Sequence, residues 1–252
     1  MIVMSFNILC AGKDELVWKK RIPLVVRAIR KADPDTFGVQ EAHIGWMRAL
    51  KGAFPDYTAV GVGRDNGKNK GEFSAVFFKK EKYKLLDAGN FWLSETPDRP
   101  GKGWDAVCIR ICSYAKLQDK KTGQIFVHMN THLDHVGTIA MQNGAELIGE
   151  RASQFDKDIP VILTGDFNVT PDSAPCQAIR NCGFTDARDV AAHTDKAYTF
   201  HAYQPDNPIL HSEIDYIFVK GNVTVRELKV IRKKIDGYFP SDHFPVVADI
   251  RF

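Results

Sequence analysis

Short apolar runs, each closed by polar or turn-forming residues, recur along the whole chain and read as strands that deliver side chains to their rims. The clearest is 160–168, PVILTGDFN, where Val161 to Thr164 lie between a proline and Gly165. The run is too short for a helix, and its strand is expected to end at Gly165. Asp166 and Asn168 follow, two apart. In extended chain such residues point the same way, so a carboxylate and a carboxamide would face one spot. Taken alone, an Asp here is more often a turn former or a helix N-cap.

The remaining elements follow from the same patterns. Residues 2–8 form a first strand, with Val3, Ser5 and Asn7 on one face and Met4, Phe6 and Ile8 on the other. Over 17–31, Trp18, Ile22, Val25, Val26 and Ile29 recur at helical spacing. Pro23 suits only a first turn, so this helix is expected to begin near Arg21. A strand over 36–40 follows, with Glu41 at its rim, then a short helix through Trp46, Met47 and Leu50 that closes at Gly52. Further strands are expected at 73–78, 83–86, 106–117 and 124–131. The last of these ends in NTHLDH, with His128, Asn130 and His132 sharing a face. Helices cover 140–155 and 174–181, and 193–207 has no period. Strands at 214–219 and 223–231 precede PSDH, where Asp242 and His243 stand before the final strand. Strands alternating with helices predict an α/β fold, and the lack of a repeat or linker predicts one domain over 1–252.

Three features bear on chemistry. Asp215 sits among Ile214, Tyr216, Ile217 and Phe218, where a carboxylate is costly unless partnered. Trp92 and Trp104 flank a Pro/Gly-rich loop; they form either an aromatic wall for a base or apolar group, or two plugs at a core edge. The glycine-rich stretch 61–71 lacks P-loop spacing and reads as a plain loop. The 44% apolar and 26% charged shares are those of a globular protein. A net charge of +3 suits a phosphate-bearing ligand but falls short of a dedicated nucleic-acid binder. Lys68, Lys70, Lys79, Lys80 and Lys82 give only a weak basic cluster, equally a solvated face. Five scattered cysteines without finger spacing point to reduced thiols and a cytoplasmic location, although a removed signal peptide would leave no trace. No stretch approaches the length of a membrane span.

Taken in order, Asn7, Glu41, NTHLDH, GDFN, IDYIF and SDH resemble the endonuclease/exonuclease/phosphatase superfamily of metal-dependent phosphoesterases, from residue 2 to residue 250. GEFSAVFF and FWLSETP resemble a mainly microbial subgroup. The resemblance implies a four-layer α/β sandwich, two mixed sheets face to face with helices outside. It implies that Glu41 is the principal metal ligand, with Asn7 beside it and Asp242 contributing through water; oxygen ligands of this kind favour Mg²⁺, with Mn²⁺ as a substitute. Asp166 would orient or deprotonate the attacking water, and Asn168 and His243 would donate to phosphate oxygens. Asp215 would hold His243, and His132 would contact phosphate or protonate the leaving group. Met141 departs from the basic residue that related sequences carry there. The expected activity is Mg²⁺-dependent hydrolysis of a phosphodiester, with a phosphomonoesterase on a sugar, inositol or nucleotide phosphate as the alternative. The substrate is a nucleic acid, a lipid headgroup or a small phosphate. A non-catalytic binding protein would have lost Glu41, Asp166 or His243, and all three are present.

Overall fold

A computed structural model describes residues 1–10 and 15–252. Strand alternation decides its layering. Along β1 (Ile2–Asn7), Met4 and Phe6 face helices while Val3, Ser5 and Asn7 face a second sheet. The chain continues through α1 (Glu15–Ala32), β2 (Thr36–Ala42), α2 (Ile44–Ala53), β3 (Tyr57–Val60), β4 (Phe73–Lys79), β5 (Tyr83–Trp92), β6 (Ile111–Asp119), β7 (Ile125–His132) and α3 (Thr138–Ala152). It ends with β8 (Val161–Asp166), α4 (Ala174–Asn181), β9 (Phe184–Asp186), α5 (Ala187–Val190), β10 (His193–Thr194), β11 (Asp215–Lys220), β12 (Thr224–Val230) and β13 (Val246–Arg251).

The strands form two mixed sheets, ordered β10-β12-β13-β1-β2-β4-β3 and β5-β6-β7-β8-β11-β9. In each, a parallel pair is joined through a helix: β1 and β2 by α1, β7 and β8 by α3. The sheets stack face to face with α1 and α2 outside one and α3 and α4 outside the other, giving the expected four-layer α/β sandwich. No helix among the described residues is long and apolar enough to cross a membrane.

The layer between the sheets changes character along its length. One end is apolar, with Val3, Leu117, Phe126, Ile162 and Ile217. Its middle is polar and hydrogen-bonded across the gap. Asn130 donates to the carbonyls of Val39 (2.9 Å) and Ala75 (3.1 Å) on the facing sheet and accepts from Gln40 (2.6 Å). His128 bridges the Thr36 and Thr164 hydroxyls at 2.7 and 2.9 Å. Burial pushes this ring down to about 3, so it stays neutral. Gly38 makes the close approach possible, since a Cβ there would lie 2.3 Å from Thr164 Oγ1. The other end of this layer is the site described below.

Several boundaries differ from the sequence expectations. Helix α1 begins at Glu15 and runs straight through Pro23, because Trp18, Val25 and Ile29 pack into the core and outweigh the one hydrogen bond the proline removes. Strand β5 extends to Trp92; as an edge strand it is largely exposed and shows no burial alternation. Residues 106–110 are irregular, and β6 begins only at Ile111. The short strands β3 and β9 and the single-turn α5 were not foreseen. Met141 is buried among α3's apolar neighbours, which accounts for an apolar residue at that position.

Candidate active site

Register builds the centre of the site. β7 and β8 pair in parallel with His132 beside Asp166, and β8 and β11 pair antiparallel with Asp166 beside Asp215. Three adjacent strands thus present His132, Asp166 and Asp215 in one row on the inter-sheet face, all buried. Asn7, at the end of β1 on the opposite sheet, closes over this row: its Nδ2 donates to Asp166 Oδ2 at 2.8 Å and to Glu41 Oε1 at 3.0 Å. His132 Nε2 lies 3.5 Å from Asp166 Oδ2, and His243 Nε2 lies 3.8 Å from the same oxygen.

His243 is held from behind. Its Nδ1 meets Asp215 Oδ2 at 2.9 Å across 28 positions of sequence, which gives the carboxylate in the apolar strand its partner. The Asp215 backbone N–H donates to Thr199 Oγ1, and Phe200 packs on the imidazole at 4.9 Å between ring centres. Ser241 donates to the Asn7 carbonyl at 2.8 Å, tying the loop before β13 to the end of β1.

Strand β2 runs to Ala42, two residues beyond the expected end, so Glu41 sits within it, at a register shift between Val39 and Ala42. Its φ is 62°, a left-handed conformation uncommon for a non-glycine residue, and the bulge turns its carboxylate to the rim. Glu41 Oε2 accepts from the Cys10 N–H at 2.9 Å. The extended-chain argument for Asp166 and Asn168 fails in its geometry. Strand β8 runs on to Asp166, and Asn168 then turns left-handed at φ 54°, with its backbone N–H donating to Asp166 Oδ1 and its amide to the Leu133 carbonyl. Asp242 is beside Glu41 and His243, with Oδ1 3.1 Å from Ser241 Oγ. Of the three polar residues on the β7 face only His132 reaches the site; His128 and Asn130 rivet the sheets together.

Electrostatics separates the two histidines. Burial opposes charge on His243, but Asp215, Asp166 and Asp242 outweigh it and push the ring up to about 10. Burial, with Arg110, Arg64 and His243 close by, holds His132 well below the usual imidazole range. At neutral pH one ring is therefore a cation and the other neutral, a division of labour suited to acid–base work. Burial and the neighbouring Asp215 raise Asp166 to about 7, near where a general base is most effective. Burial also opposes the Glu41 carboxylate, yet the Cys10 N–H and the Asn7 amide keep its pKa below the usual range.

Three residues that sequence reasoning missed complete the cleft. Glu72, just before β4, takes a two-pronged contact from Arg64 (2.6 and 3.1 Å) and lies 4.0 Å from His132 Nδ1. Arg110, 5% exposed, reaches His135 Nδ1 at 3.1 Å and keeps Nε and Nη1 without a hydrogen-bond partner. The signals were there: an acid at the foot of the 73–78 strand and an arginine inside the apolar string CIRIC. The arginine mirrors the pattern that singled out Asp215.

The structure gives Trp92 the core role of the two tryptophan alternatives. Trp92 is buried and donates from Nε1 to the Arg64 carbonyl at 2.6 Å, so it anchors the 61–71 loop. Trp104 is half-buried, with φ 51°, and its N–H faces the Glu95 carboxylate. Trp92→Ala is expected to cost about 3–5 kcal/mol of stability in a denaturant melt. Trp104→Ala is expected to leave the melt nearly unchanged while raising KM for the natural substrate.

The donor set accommodates a hard cation. Ligating atoms of Glu41, His132 and Asp166 lie within 4.8 Å of one another. Burial also raises Asp242, with Glu41 adding to the effect, so these acids crowd together with more negative charge than His243 can balance. Oxygen-rich surroundings of this kind suit Mg²⁺ or Mn²⁺.

Comparison with known proteins agrees with this geometry. The profile of the Endonuclease/Exonuclease/phosphatase family matches residues 4–243. A mannosyl-6-phosphatase of Bacteroides thetaiotaomicron VPI-5482 superposes with a TM-score of 0.92 at 37% identity, with 100% of both chains covered. A family protein from Bacteroides thetaiotaomicron gives 0.93 at 36% identity, covering 99% of this chain and 97% of that one. Nocturnin of Drosophila melanogaster is 24% identical over 94% of this chain but only 42% of its own length. The chain likewise covers 51% of the Ccr4 exoribonuclease subunit of Emericella nidulans, and so spans about half the length of such relatives. With the fold, the ordered residues and this match in agreement, the chain belongs to the Endonuclease/Exonuclease/phosphatase family, hydrolases of phosphate esters.

Proposed function

We propose that the chain hydrolyses a phosphate monoester of a sugar, by in-line attack of water on phosphorus, with a divalent cation bound. The observation that carries the hydrolytic chemistry is the convergence on one Asp166 oxygen of Asn7, His132 and the Asp215-backed His243. Asp166, raised toward neutral pH by burial, receives the proton of the attacking water. Protonated His243 donates from Nε2 to a phosphoryl oxygen while Asp215 fixes its ring. Neutral His132 presents a hydrogen bond to the phosphoryl group, and Asn168, next to the general base, supports a second oxygen. Arg110, whose Nε and Nη1 make no hydrogen bond although Nε lies 3.7 Å from Asp134, adds positive charge behind His132. Mg²⁺, held by Glu41 with Asn7 and Asp242 beside it, would neutralise phosphate charge and polarise the P–O bonds. The sugar oxygen leaves opposite the attacking water and takes a proton from solvent, while Asp166 returns its proton to solvent, so water and the ester become inorganic phosphate and the free hydroxyl.

The likeness to the mannosyl-6-phosphatase supports the sugar monoester: at 37% identity it covers both chains fully, whereas the relatives described as exoribonucleases are 22–25% identical. A phosphodiester is the second reading, because a site built around the phosphoryl group serves both esters. A substrate panel with Mg²⁺ and with chelator separates them. Phosphate release from mannose 6-phosphate, abolished by chelator, is expected. Efficient cleavage of bis-p-nitrophenyl phosphate or RNA, with no phosphate from sugar monoesters, would move the assignment to the diester.

A further inference from the structure

A groove of about 610 Å³ lies beside the catalytic centre and takes no part in the chemistry described above. Its walls are α1 and the segments around residues 203 and 236–239. Tyr238 and Tyr203 present aromatic surface to solvent, 69% and 42% exposed, beside Phe239. Such exposure of large aromatic rings at a concave surface marks a contact surface more than a core.

Two observations connect the groove to the site. Arg21, in its floor, donates to the carbonyls of Ile8 (2.7 Å), Leu9 (2.5 Å) and Pro240 (3.0 Å), the first two directly after Asn7 and the third two residues before Asp242. Burial raises the Tyr203 phenol, which hydrogen-bonds Arg21 in the same groove, and the charges of Asp242 and Glu41 act on it as well. Ala202 and Tyr203 are successive non-glycine residues with left-handed φ of 47° and 59°. That costly conformation is held by the hydrogen bond from His201 N–H to the Asp242 carbonyl (2.9 Å), which fixes Tyr203 relative to the metal-side carboxylate.

We infer that this groove is the subsite for the next one or two hexose units of an oligosaccharide whose terminal residue carries the phosphate. The inference rests on the sugar-monoester reading. A hexose phosphate alone would be contained at the catalytic centre, whereas a second groove of this size has room for further rings. Tyrosine faces match the apolar face of a pyranose, and the paired Arg27 and Asp236 on the rim offer a donor and an acceptor side by side for vicinal hydroxyls. A nucleic-acid strand is disfavoured. Arg27 is neutralised by Asp236 and Arg21 is spent on carbonyls, which leaves Lys20 as the uncommitted cation lining the groove among the described residues.

The test compares kcat/KM for mannose 6-phosphate and for a mannobiose phosphorylated on its terminal residue, in wild type, Tyr238→Ala and Tyr238→Phe. Wild type is expected to prefer the disaccharide by about tenfold, Tyr238→Ala to erase most of that ratio through KM, and Tyr238→Phe to retain it. Equal ratios in all three proteins would overturn the inference while leaving the monoesterase assignment standing. Binding of unphosphorylated mannobiose, followed by chemical-shift changes, tests the groove independently of turnover. Shifts that Tyr238→Ala abolishes support it even if another ester proves to be the substrate. Absence of any shift, with no disaccharide preference, refutes it.

Discussion

His243→Ala is expected to lower kcat by on the order of 10⁴-fold, and adding Asp215→Asn to it should cost little more. The two side chains form one unit. Asp215 Oδ2 holds His243 Nδ1 at 2.9 Å, both are buried, and the other Asp215 oxygen has no hydrogen-bond partner. Removing the imidazole leaves the carboxylate with nothing to orient, so the losses are strongly non-additive. Asp215→Asn alone is expected to shift the alkaline limb of the pH–rate profile. The carboxylates raise His243 to about 10, which keeps its ring a cation across the neutral range. Without the Asp215 charge the ring deprotonates earlier and activity falls at lower pH than in wild type. Fully additive losses, or an unmoved alkaline limb, would mean that the two residues act separately.

Asp166→Asn is expected to reduce kcat by roughly 10³-fold, within the range for loss of a general base, while raising stability in the presence of chelator. The two effects have one cause. Burial and Asp215 raise the Asp166 pKa from 3.8 to about 7, so the folded state binds a proton there more tightly than the unfolded chain does. Between those values the folded state carries more protons, and this group makes wild-type stability fall as pH rises. Asparagine cannot ionise, so the stability advantage of Asp166→Asn should be absent near pH 4, grow up to about pH 7 and then level off. Denaturant melts of both proteins across that range measure the difference directly. An advantage that grew toward acid pH would contradict the buried, charge-strained carboxylate described here.

How legible the site was depended on whether a residue's placement followed from local period or from tertiary geometry. Asp215 was legible because a carboxylate among Ile214, Tyr216, Ile217 and Phe218 must find a partner, and it did so in His243. The face carrying Val3, Ser5 and Asn7 followed from strand alternation, and the helix at 174–181 was found at its expected bounds. Glu41 emerged only through family resemblance, since a bulge between Val39 and Ala42 aims it and no period encodes that shift. The paired direction of Asp166 and Asn168 was lost to a single left-handed residue. Glu72 and Arg110 lie on segments distant in sequence from GDFN: sheet stacking brings the first to His132, and the pairing of β6 with β7 brings the second. The length of β5 was hidden because an exposed edge strand has no apolar face to alternate.

The central claim, that water attacks phosphorus in a cleft organised by Asp166 and His243, is tested most directly by hydrolysing mannose 6-phosphate in H₂¹⁸O with Mg²⁺ present. Mass spectrometry of the products is expected to find one ¹⁸O in inorganic phosphate and none at the C6 hydroxyl of mannose, with turnover by His243→Ala reduced by on the order of 10⁴-fold. Label in the sugar hydroxyl, or undiminished hydrolysis by the variant, would contradict it.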